Sequence, residues 1–270
     1  MIKGFISRLD KSVAKYGLVE AIKKLVSDYG IKVIVKSNAE VDKTLTSGSG
    51  VLVANHPAEF DVLAILSAIK NRKDVFLIIN SHFMKLISNL DQYLIPVYVY
   101  DKPKADFWGV LTTKIFNTFH KIEKLSAEEG HKKNVESIKL AVEKINNGGL
   151  VIIFPDGGAK KDWFNGVGHL IHGVENKENS FVLRAHIKGT SGWDWLRLLP
   201  IMNKFLPKFR VNFAKPLKMD LIQQEDQKKT TKFLEEKYWG WLGSLNLWSG
   251  LSKNYAWLKT LFILLITKPY

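Results

Sequence analysis

The sequence predicts an α/β fold, with a mixed, largely parallel sheet of about seven strands covered by helices. Short runs rich in β-branched residues recur after residue 30, and helical stretches lie between most of them. Strands that alternate with helices are typical of parallel sheets whose faces the helices cover. Residues 146–149, Asn-Asn-Gly-Gly, are a helix stop between the helix predicted to end at Ile145 and the strand predicted to begin at Leu150.

The predicted elements follow one another without an internal repeat. The strands are predicted at Ile31–Val35, Val51–Ala54, Val75–Ile79, Ile95–Tyr100, Leu150–Phe154, Phe181–Ile187 and Phe209–Phe213. The helices between them are predicted at Val62–Ile69, His82–Ile87, Phe107–Leu125 and Asn134–Ile145. One α/β domain over residues 31–220 accounts for all of these elements.

Residues 1–30 are predicted to form an N-terminal amphipathic helical segment. Apolar residues recur at helical spacing from Ile2 to Tyr16, and Gly17 interrupts the helix before a similar stretch that reaches Gly30. Because basic residues lie between the apolar ones, this helix is a candidate for docking on a membrane surface. The face that would insert consists of Ile2, Phe5, Ile6 and Leu9.

Residues 221–270 are predicted to form a C-terminal helical tail rich in tryptophan. Half of the eight tryptophans lie after residue 238, and the run Leu261–Ile266 is wholly apolar. A terminal helix that closes the core explains this pattern. An interfacial anchor explains it equally well, because tryptophan prefers the headgroup region of a bilayer. Both interpretations stay open at this point.

The net charge of +14 indicates an anionic partner, which could be nucleic acid, an anionic membrane surface or a phosphorylated substrate. Nucleic acid is not expected, because no recognised motif is present and few of the cations are arginine. The absence of cysteine excludes disulfides, thiolate metal sites and a cysteine nucleophile. No secretory signal or membrane-spanning stretch is visible, so we expect a cytoplasmic protein that is peripheral on the inner face of the membrane.

The strongest chemical signal is an apolar strand that leads into Asn55 and His56, with Asp61 five residues beyond the histidine. If the next helix starts near Phe60, the intervening turn folds the carboxylate back onto the imidazole. The carboxylate then fixes the tautomer, and His56 serves as a general base for a substrate hydroxyl. Glu59 is an alternative partner of His56, but Asp61 fits the register better.

The histidine–acid spacing alone is weak evidence for a catalytic pair. The same spacing recurs from His131 to Glu136, where no apolar strand precedes it. That second pair is interpreted as a helix start with a surface acid. His56 and Asp61 also have a structural interpretation, as a turn residue and a helix N-terminal residue.

The pattern N-H-x4-D after a buried strand resembles the first block of the glycerolipid acyltransferases, the family of 1-acylglycerol-3-phosphate acyltransferases. Counterparts of later blocks follow in order at Ile95–Tyr100, Phe154–Lys160, Phe164–Leu170, Phe181–Lys188 and Arg210–Pro216. The resemblance thus covers roughly residues 31–220. It implies that His56 is the general base and Asp61 its partner.

The resemblance also implies where the polar head of the acceptor would bind. The candidates are Asn55, Phe154, Pro155, Asp156, Gly157, Gly158, Lys160, Lys161, Arg184 and Lys188. Three positions of the family's third block, F-P-E-G-T-R, differ here, with Asp156, Gly158 and Ala159 in place of glutamate, threonine and arginine. The arginine that normally ends the second block is also missing after Tyr100. These departures leave the acceptor open.

The resemblance implies an O-acyltransferase that moves a fatty acyl group from acyl-CoA or acyl carrier protein to the hydroxyl of a lysophospholipid such as 1-acylglycerol-3-phosphate. No metal or tightly held cofactor is implied. One alternative is the same chemistry on an amino-acid-linked or glycosylated lipid. A second alternative is a basic membrane-binding protein without catalysis.

Overall fold

The computed structural model describes residues 2–85, 87–98, 125–156 and 162–245. In this part of the chain eight strands form one mixed, mostly parallel sheet, so the predicted fold class is confirmed. The strands are β1 (Val33–Lys36), β2 (Ser49–Ala54), β3 (Val75–Asn80), β4 (Leu94–Val97), β5 (Leu150–Ile153), β6 (Ser180–Lys188), β7 (Phe209–Phe213) and β8 (Leu217–Lys218). The two-residue strand β8 was not predicted.

The strand order is β1-β7-β6-β2-β5-β3-β4, and β8 pairs with β6. Strands β2 to β6 all run parallel to one another, whereas β7 pairs antiparallel with β6 and parallel with β1. The carboxyl ends of β6, β2 and β5 therefore lie side by side at one edge of the sheet. In open α/β sheets, ligands bind at this edge.

Seven α-helices accompany the sheet in the described residues. They are α1 (Ile2–Tyr16), α2 (Leu18–Asp28), α3 (Ala39–Ser47), α4 (Asp61–Ala68), α5 (Ala127–Asn146), α6 (Gly166–Gly173) and α7 (Gln227–Ser244). The break predicted at Gly17 separates α1 from α2. Helix α3 was not predicted, and its start is stabilised by the Asn38 side chain, which accepts a hydrogen bond from the backbone of Val41.

One predicted helix, His82–Ile87, is wrong. In the described part of this stretch, which leaves out residue 86, the only helical turn is a 3₁₀ turn over Ser81–Phe83. Two residues later Lys85 has a φ of 64°, which a right-handed helix does not allow. Its backbone N–H binds the Asp91 carboxylate instead of continuing a helix.

Helix α5 starts earlier than predicted. Ser126 and Glu129 form a capping box there, in which each side chain binds the backbone N–H of the other residue. Of the helix predicted at Phe107–Leu125, residues 107–124 lie outside the described residues.

The apolar face of α1 is part of the protein core. Phe5, Leu9 and Val13 are buried in the same cluster as Ile22 of α2, and α2 in turn packs against α4. The prediction that this face is free to insert into a membrane is therefore wrong for Phe5 and Leu9. An apolar stripe on a helix has the same spacing whether a protein core or a lipid surface covers it.

The chain divides into two compact units, residues 1–233 and 234–270. The first unit contains the whole sheet. The second unit is described as far as residue 245, where it consists of the later part of α7. In it the Tyr238 ring contacts the rings of Trp239 and Trp241.

Trp248, Trp257 and Leu261–Ile266 lie outside the described residues, and both interpretations of the tail remain predictions. The domain boundaries predicted at residues 30 and 220 also remain predictions. None of the described helices combines the length and the apolarity needed to cross a bilayer.

Candidate active site

Three adjacent parallel strands bring the candidate residues to one edge of the sheet. Asn55 and His56 follow β2, and Phe154, Pro155 and Asp156 follow β5. The register pairs β2 with both β5 and β6, so these loops start side by side. Arg184 and Lys188 lie on β6 itself, on the other side of β2.

The structure joins His56 to Asp61, as the spacing predicts. His56 Nδ1 lies 3.2 Å from Asp61 Oδ2, and the backbone N–H of Ala58 donates to the same oxygen at 2.7 Å. Helix α4 begins at Asp61, so the turn after β2 carries the carboxylate back under the imidazole. The Asp61 side chain is fully buried, whereas 32% of the His56 side chain is exposed.

This arrangement defines which ring nitrogen can act on a substrate. With Nδ1 held by a carboxylate, the neutral imidazole carries its proton on Nδ1 and its lone pair on Nε2. Glu59, the alternative partner considered above, is half-buried and is not the group that binds the ring. The geometry therefore makes His56 Nε2 available as a proton acceptor, with Asp61 orienting the ring.

Phe154 forms one wall beside the imidazole. Its ring stacks on the His56 ring with centroids 4.7 Å apart and planes at 29°. The contact restricts rotation of the histidine and places an apolar surface next to the base. Phe154 was predicted to bind substrate, and the structure gives it a direct contact with the general base candidate.

Asn55 connects the site to β6. Its side-chain amide donates to the Ile187 carbonyl at 3.0 Å and accepts from the Ile187 backbone N–H at 2.7 Å. These two bonds continue the β2–β6 pairing one step beyond the end of β2. Asn55 is thus engaged with protein backbone, and its predicted contact with substrate remains a prediction.

A row of basic side chains lies on one face of β6. Arg184, His186 and Lys188 alternate with buried apolar residues, and Lys188 is paired in register with Arg210 of β7. Burial, with a smaller effect of the Lys188 charge, lowers the pKa of His186 to about 4, so the imidazole is neutral at pH 7. Burial and then the Arg210 charge lower the pKa of Lys188.

His186 and Arg210 were not among the predicted site residues. The available signal was the period-two spacing of Arg184, His186 and Lys188, which places all three on the same face of a strand. Arg184 also donates to the backbone carbonyl of Lys215, at 3.2 Å, so part of its guanidinium serves the loop after β7.

A buried ion pair lies close to the histidine–aspartate pair. Asp194 is fully buried and accepts from Arg197 Nε at 2.8 Å, and the Asp194 pKa is raised to about 6, mainly by burial and in part by the Asp61 charge. The next residue, Trp195, makes an edge-to-face contact with Phe60, whose ring centroid lies 5.2 Å away. The segment around Asp194 therefore packs against the start of α4. No sequence feature pointed to this pair.

Four predicted site residues cannot be placed, and the second histidine–acid pair is not a catalytic arrangement. Gly157, Gly158, Lys160 and Lys161 lie outside the described residues. His131 and Glu136 are both exposed and lie inside α5, five positions apart, so the helix directs them to different faces. The described residues hold no group of three or more histidine and acidic side chains that could bind a metal ion.

Comparisons with known proteins agree with this fold. A family model described as Acyltransferase matches residues 31–192, more than half of the chain. The crystal structure of the 1-acyl-sn-glycerophosphate (LPA) acyltransferase, PlsC, from Thermotoga maritima is similar to this chain at 15% identity, with a TM-score of 0.50, over 91% of this chain and 90% of that chain. At this identity the structural likeness shows the fold alone. No curated protein matches the chain.

Proposed function

Because this chain belongs to the acyltransferase family, and is therefore an enzyme, we propose that it transfers a fatty acyl group from a thioester donor to the hydroxyl of a lysophospholipid such as 1-acylglycerol-3-phosphate. Acyl-CoA or acyl carrier protein is the donor. The observation that carries the proposal is the pairing of His56 with a fully buried Asp61 at the carboxyl edge of the parallel strands.

The proposed reaction uses His56 first as a base and then as an acid. Nε2 takes the proton of the acceptor hydroxyl while its oxygen attacks the thioester carbonyl, and Asp61 stabilises the resulting imidazolium. A backbone N–H or a lysine near the site stabilises the oxyanion of the tetrahedral intermediate. The carbon–sulfur bond then breaks, and Nε2 returns the proton to the leaving thiolate.

The basic row of β6 is the proposed site for the phosphate of the acceptor. Arg184 and Lys188 lie on the strand whose backbone holds Asn55, which directly precedes the base. A partly desolvated lysine is well suited to pair with a phosphate. Lys188 is such a lysine, because burial already lowers its pKa. Lys160 and Lys161, which follow Asp156 closely in the sequence, are further proposed ligands of the same head group.

We further propose that the enzyme works at the inner face of the membrane, from the cytoplasmic side. Its substrates are amphiphiles that reside in the bilayer, so the enzyme has to dock to reach them. The net charge of +14 attracts it to anionic lipid.

The experiment that tests the proposed function is an assay of the purified full-length protein with mixed acyl-CoA and acyl carrier protein donors and a panel of lysolipids, read by mass spectrometry. We expect one acyl group added to a phosphate-bearing lysolipid, and no product with the His56→Ala variant. Product formed equally well by that variant, or no product from any acceptor, would overturn the proposal. Product from phosphate-free lysolipids alone would favour the alternative acceptor, which the departures at Asp156, Gly158 and Ala159 support.

The phosphate site is tested separately by Lys188→Glu. We expect this change to raise KM for the acceptor far more than KM for the donor. Lys215→Glu is the matched control, because Lys215 is exposed and contributes its backbone carbonyl, not its side chain, to Arg184. An equal rise of both KM values would instead indicate general attraction to the lipid surface.

A further inference from the structure

Three large apolar side chains project from one short segment of the first unit, and we call them the apolar ridge. They are Leu199, Ile201 and Phe205, which are 40%, 64% and 64% exposed. The residues that flank the ridge, Leu198 and Leu206, are buried. The chain is therefore packed in the core just before and just after the ridge, and the side chains of the ridge itself face solvent.

The ridge is held in this position by partly buried polar contacts, one of them from the fully buried Arg197. Arg197 donates to the Pro207 carbonyl at 2.6 Å, which ties the start of the segment to its end. Between them, Asn203 donates to the carbonyls of Arg197 and Tyr29 at 2.9 and 2.7 Å. Since these bonds fix the backbone, the apolar side chains cannot fold into the core without leaving buried polar groups unpaired.

Exposed basic side chains accompany the ridge. Lys204 lies within the ridge segment and Lys208 three residues after Phe205, and the sequence from residue 195 to residue 219 contains no acidic residue. Lys204 and Lys208 are exposed, and so is Arg210 at the start of β7. Asp194, the acidic residue that precedes this stretch, and Arg197 are both buried and paired with each other, so neither charge contributes to the surface.

The edge strand β1 extends the same surface. Among the described strands it pairs only with β7, in a register that sets Ile34 opposite Arg210, and Ile34 is exposed. Lys32 and Lys36, at the two ends of the strand, are exposed as well. Exposed apolar side chains with lysines near them in the chain match the boundary between acyl chains and anionic headgroups.

We propose that the apolar ridge inserts into an anionic lipid surface and is an apolar anchor of this enzyme. The ridge is suited to this role because its side chains are exposed, hydrogen bonds hold its backbone, and exposed lysines accompany it, whereas Phe5 and Leu9 of α1 are buried in the core. Trp195, four residues before Leu199, contacts Phe60 next to Asp61, so an inserted ridge holds the reacting histidine near the bilayer. The reason for docking rests on the proposed function, but the test below requires no acyl transfer.

The first test places a polarity-sensitive fluorophore on single cysteines, which is straightforward because the chain has none of its own. The labelled variants are Ile201→Cys and, as a matched control, Leu221→Cys, since Leu221 is 73% exposed and lies outside the ridge. Vesicles of phosphatidylcholine with phosphatidylglycerol should shift the emission at position 201 to the blue and leave position 221 unchanged. Pure phosphatidylcholine vesicles should produce a much smaller shift.

The second test measures binding to the same anionic vesicles by co-sedimentation at high salt, without donor or acceptor. The double variant Ile201→Ser/Phe205→Ser should bind about tenfold more weakly or worse, because two apolar side chains no longer insert. Leu221→Ser should bind like the wild type. In the same assay repeated at low salt, Lys204→Glu/Lys208→Glu should weaken binding more than it does at high salt, because salt screens the attraction to anionic lipid.

Three results would overturn the proposal. One is vesicle binding with no blue shift at position 201, and another is equal loss of binding in the ridge and Leu221 variants. The third is a shift at position 201 that depends on protein concentration in the absence of vesicles, which would indicate that a second copy of the chain covers the ridge. Loss of acyl transfer with normal insertion would contradict only the proposed function.

Discussion

The side chain of Asn55 and the backbone of Ile187 exchange two hydrogen bonds across 132 residues of sequence. An asparagine amide mimics a peptide group here, because it donates and accepts at the same time as a β-ladder partner does. The bonds join the loop that carries His56 to the strand that carries Arg184 and Lys188. The contact between Asn55 and Ile187 therefore links the general base to the proposed phosphate site.

We expect Asn55→Ala to lower both stability and turnover. The change leaves the N–H and carbonyl of Ile187 unpaired, at a cost of about 1–3 kcal/mol in the free energy of unfolding. Because the base loses its support, kcat should fall while KM for the donor changes little. Urea unfolding and steady-state kinetics measure the two effects. Asn71→Ala, at an exposed asparagine that accepts a hydrogen bond from the Lys23 side chain, is the control and should change neither.

We expect His56→Ala to lower kcat by about 10² to 10⁴, the usual contribution of a positioned general base, with the fold intact. Asp61→Asn should lower kcat by much of the same factor, because the amide no longer fixes the tautomer of His56 or stabilises its imidazolium. His131→Ala provides the comparison from the second histidine–acid spacing and should retain activity. If His131→Ala and His56→Ala lose activity alike, the assignment of the base is wrong.

Asp194 should make stability depend on pH in a definite direction. Burial raises its pKa from 3.8 to about 6, so between these values the folded protein retains a proton that the unfolded chain has released. The contribution of Asp194 to the free energy of unfolding therefore falls as pH rises through this window and is constant above it. Urea unfolding of wild type and Asp194→Asn at a series of pH values measures this, and the two curves should diverge between about pH 4 and pH 6. Parallel curves would show that Asp194 is not the group responsible.

Gly168→Ala should destabilise the protein, because α6 and the start of α7 approach closely at this position. A Cβ at residue 168 would lie 2.0 Å from the Gln227 carbonyl oxygen and 2.6 Å from Thr231 Oγ1. Such overpacking costs about 1–3 kcal/mol or more, measured as a lower midpoint of thermal unfolding. Gly166→Ala is matched to it on the same helix. There a Cβ finds only Ile153 Cδ1, at an ordinary 3.6 Å, so an equal effect of both changes would exclude close packing as the cause.

Local sequence was sufficient to predict the strand β2, the turn and the start of α4. An apolar strand, a short loop and a helix N-terminus within about a dozen residues leave few ways to arrange His56 and Asp61. The α/β class followed in the same way from the alternation of strands and helices. These features depend on contacts between residues that are close along the chain, so the amino-acid pattern determines them.

Only the tertiary structure decided which surfaces meet. The stripe of Phe5 and Leu9 is equally suited to a core or to lipid, and packing on α2 placed it in the core. The position of Asn55 in the sequence does not predict its contact with Ile187. The sequence from Leu199 to Phe205 likewise does not show that its apolar side chains are exposed, which depends on the bond from buried Arg197 to Pro207. The physical reason is that periodicity encodes an apolar face, whereas its partner is set by contacts between residues distant in sequence, which a local pattern does not contain.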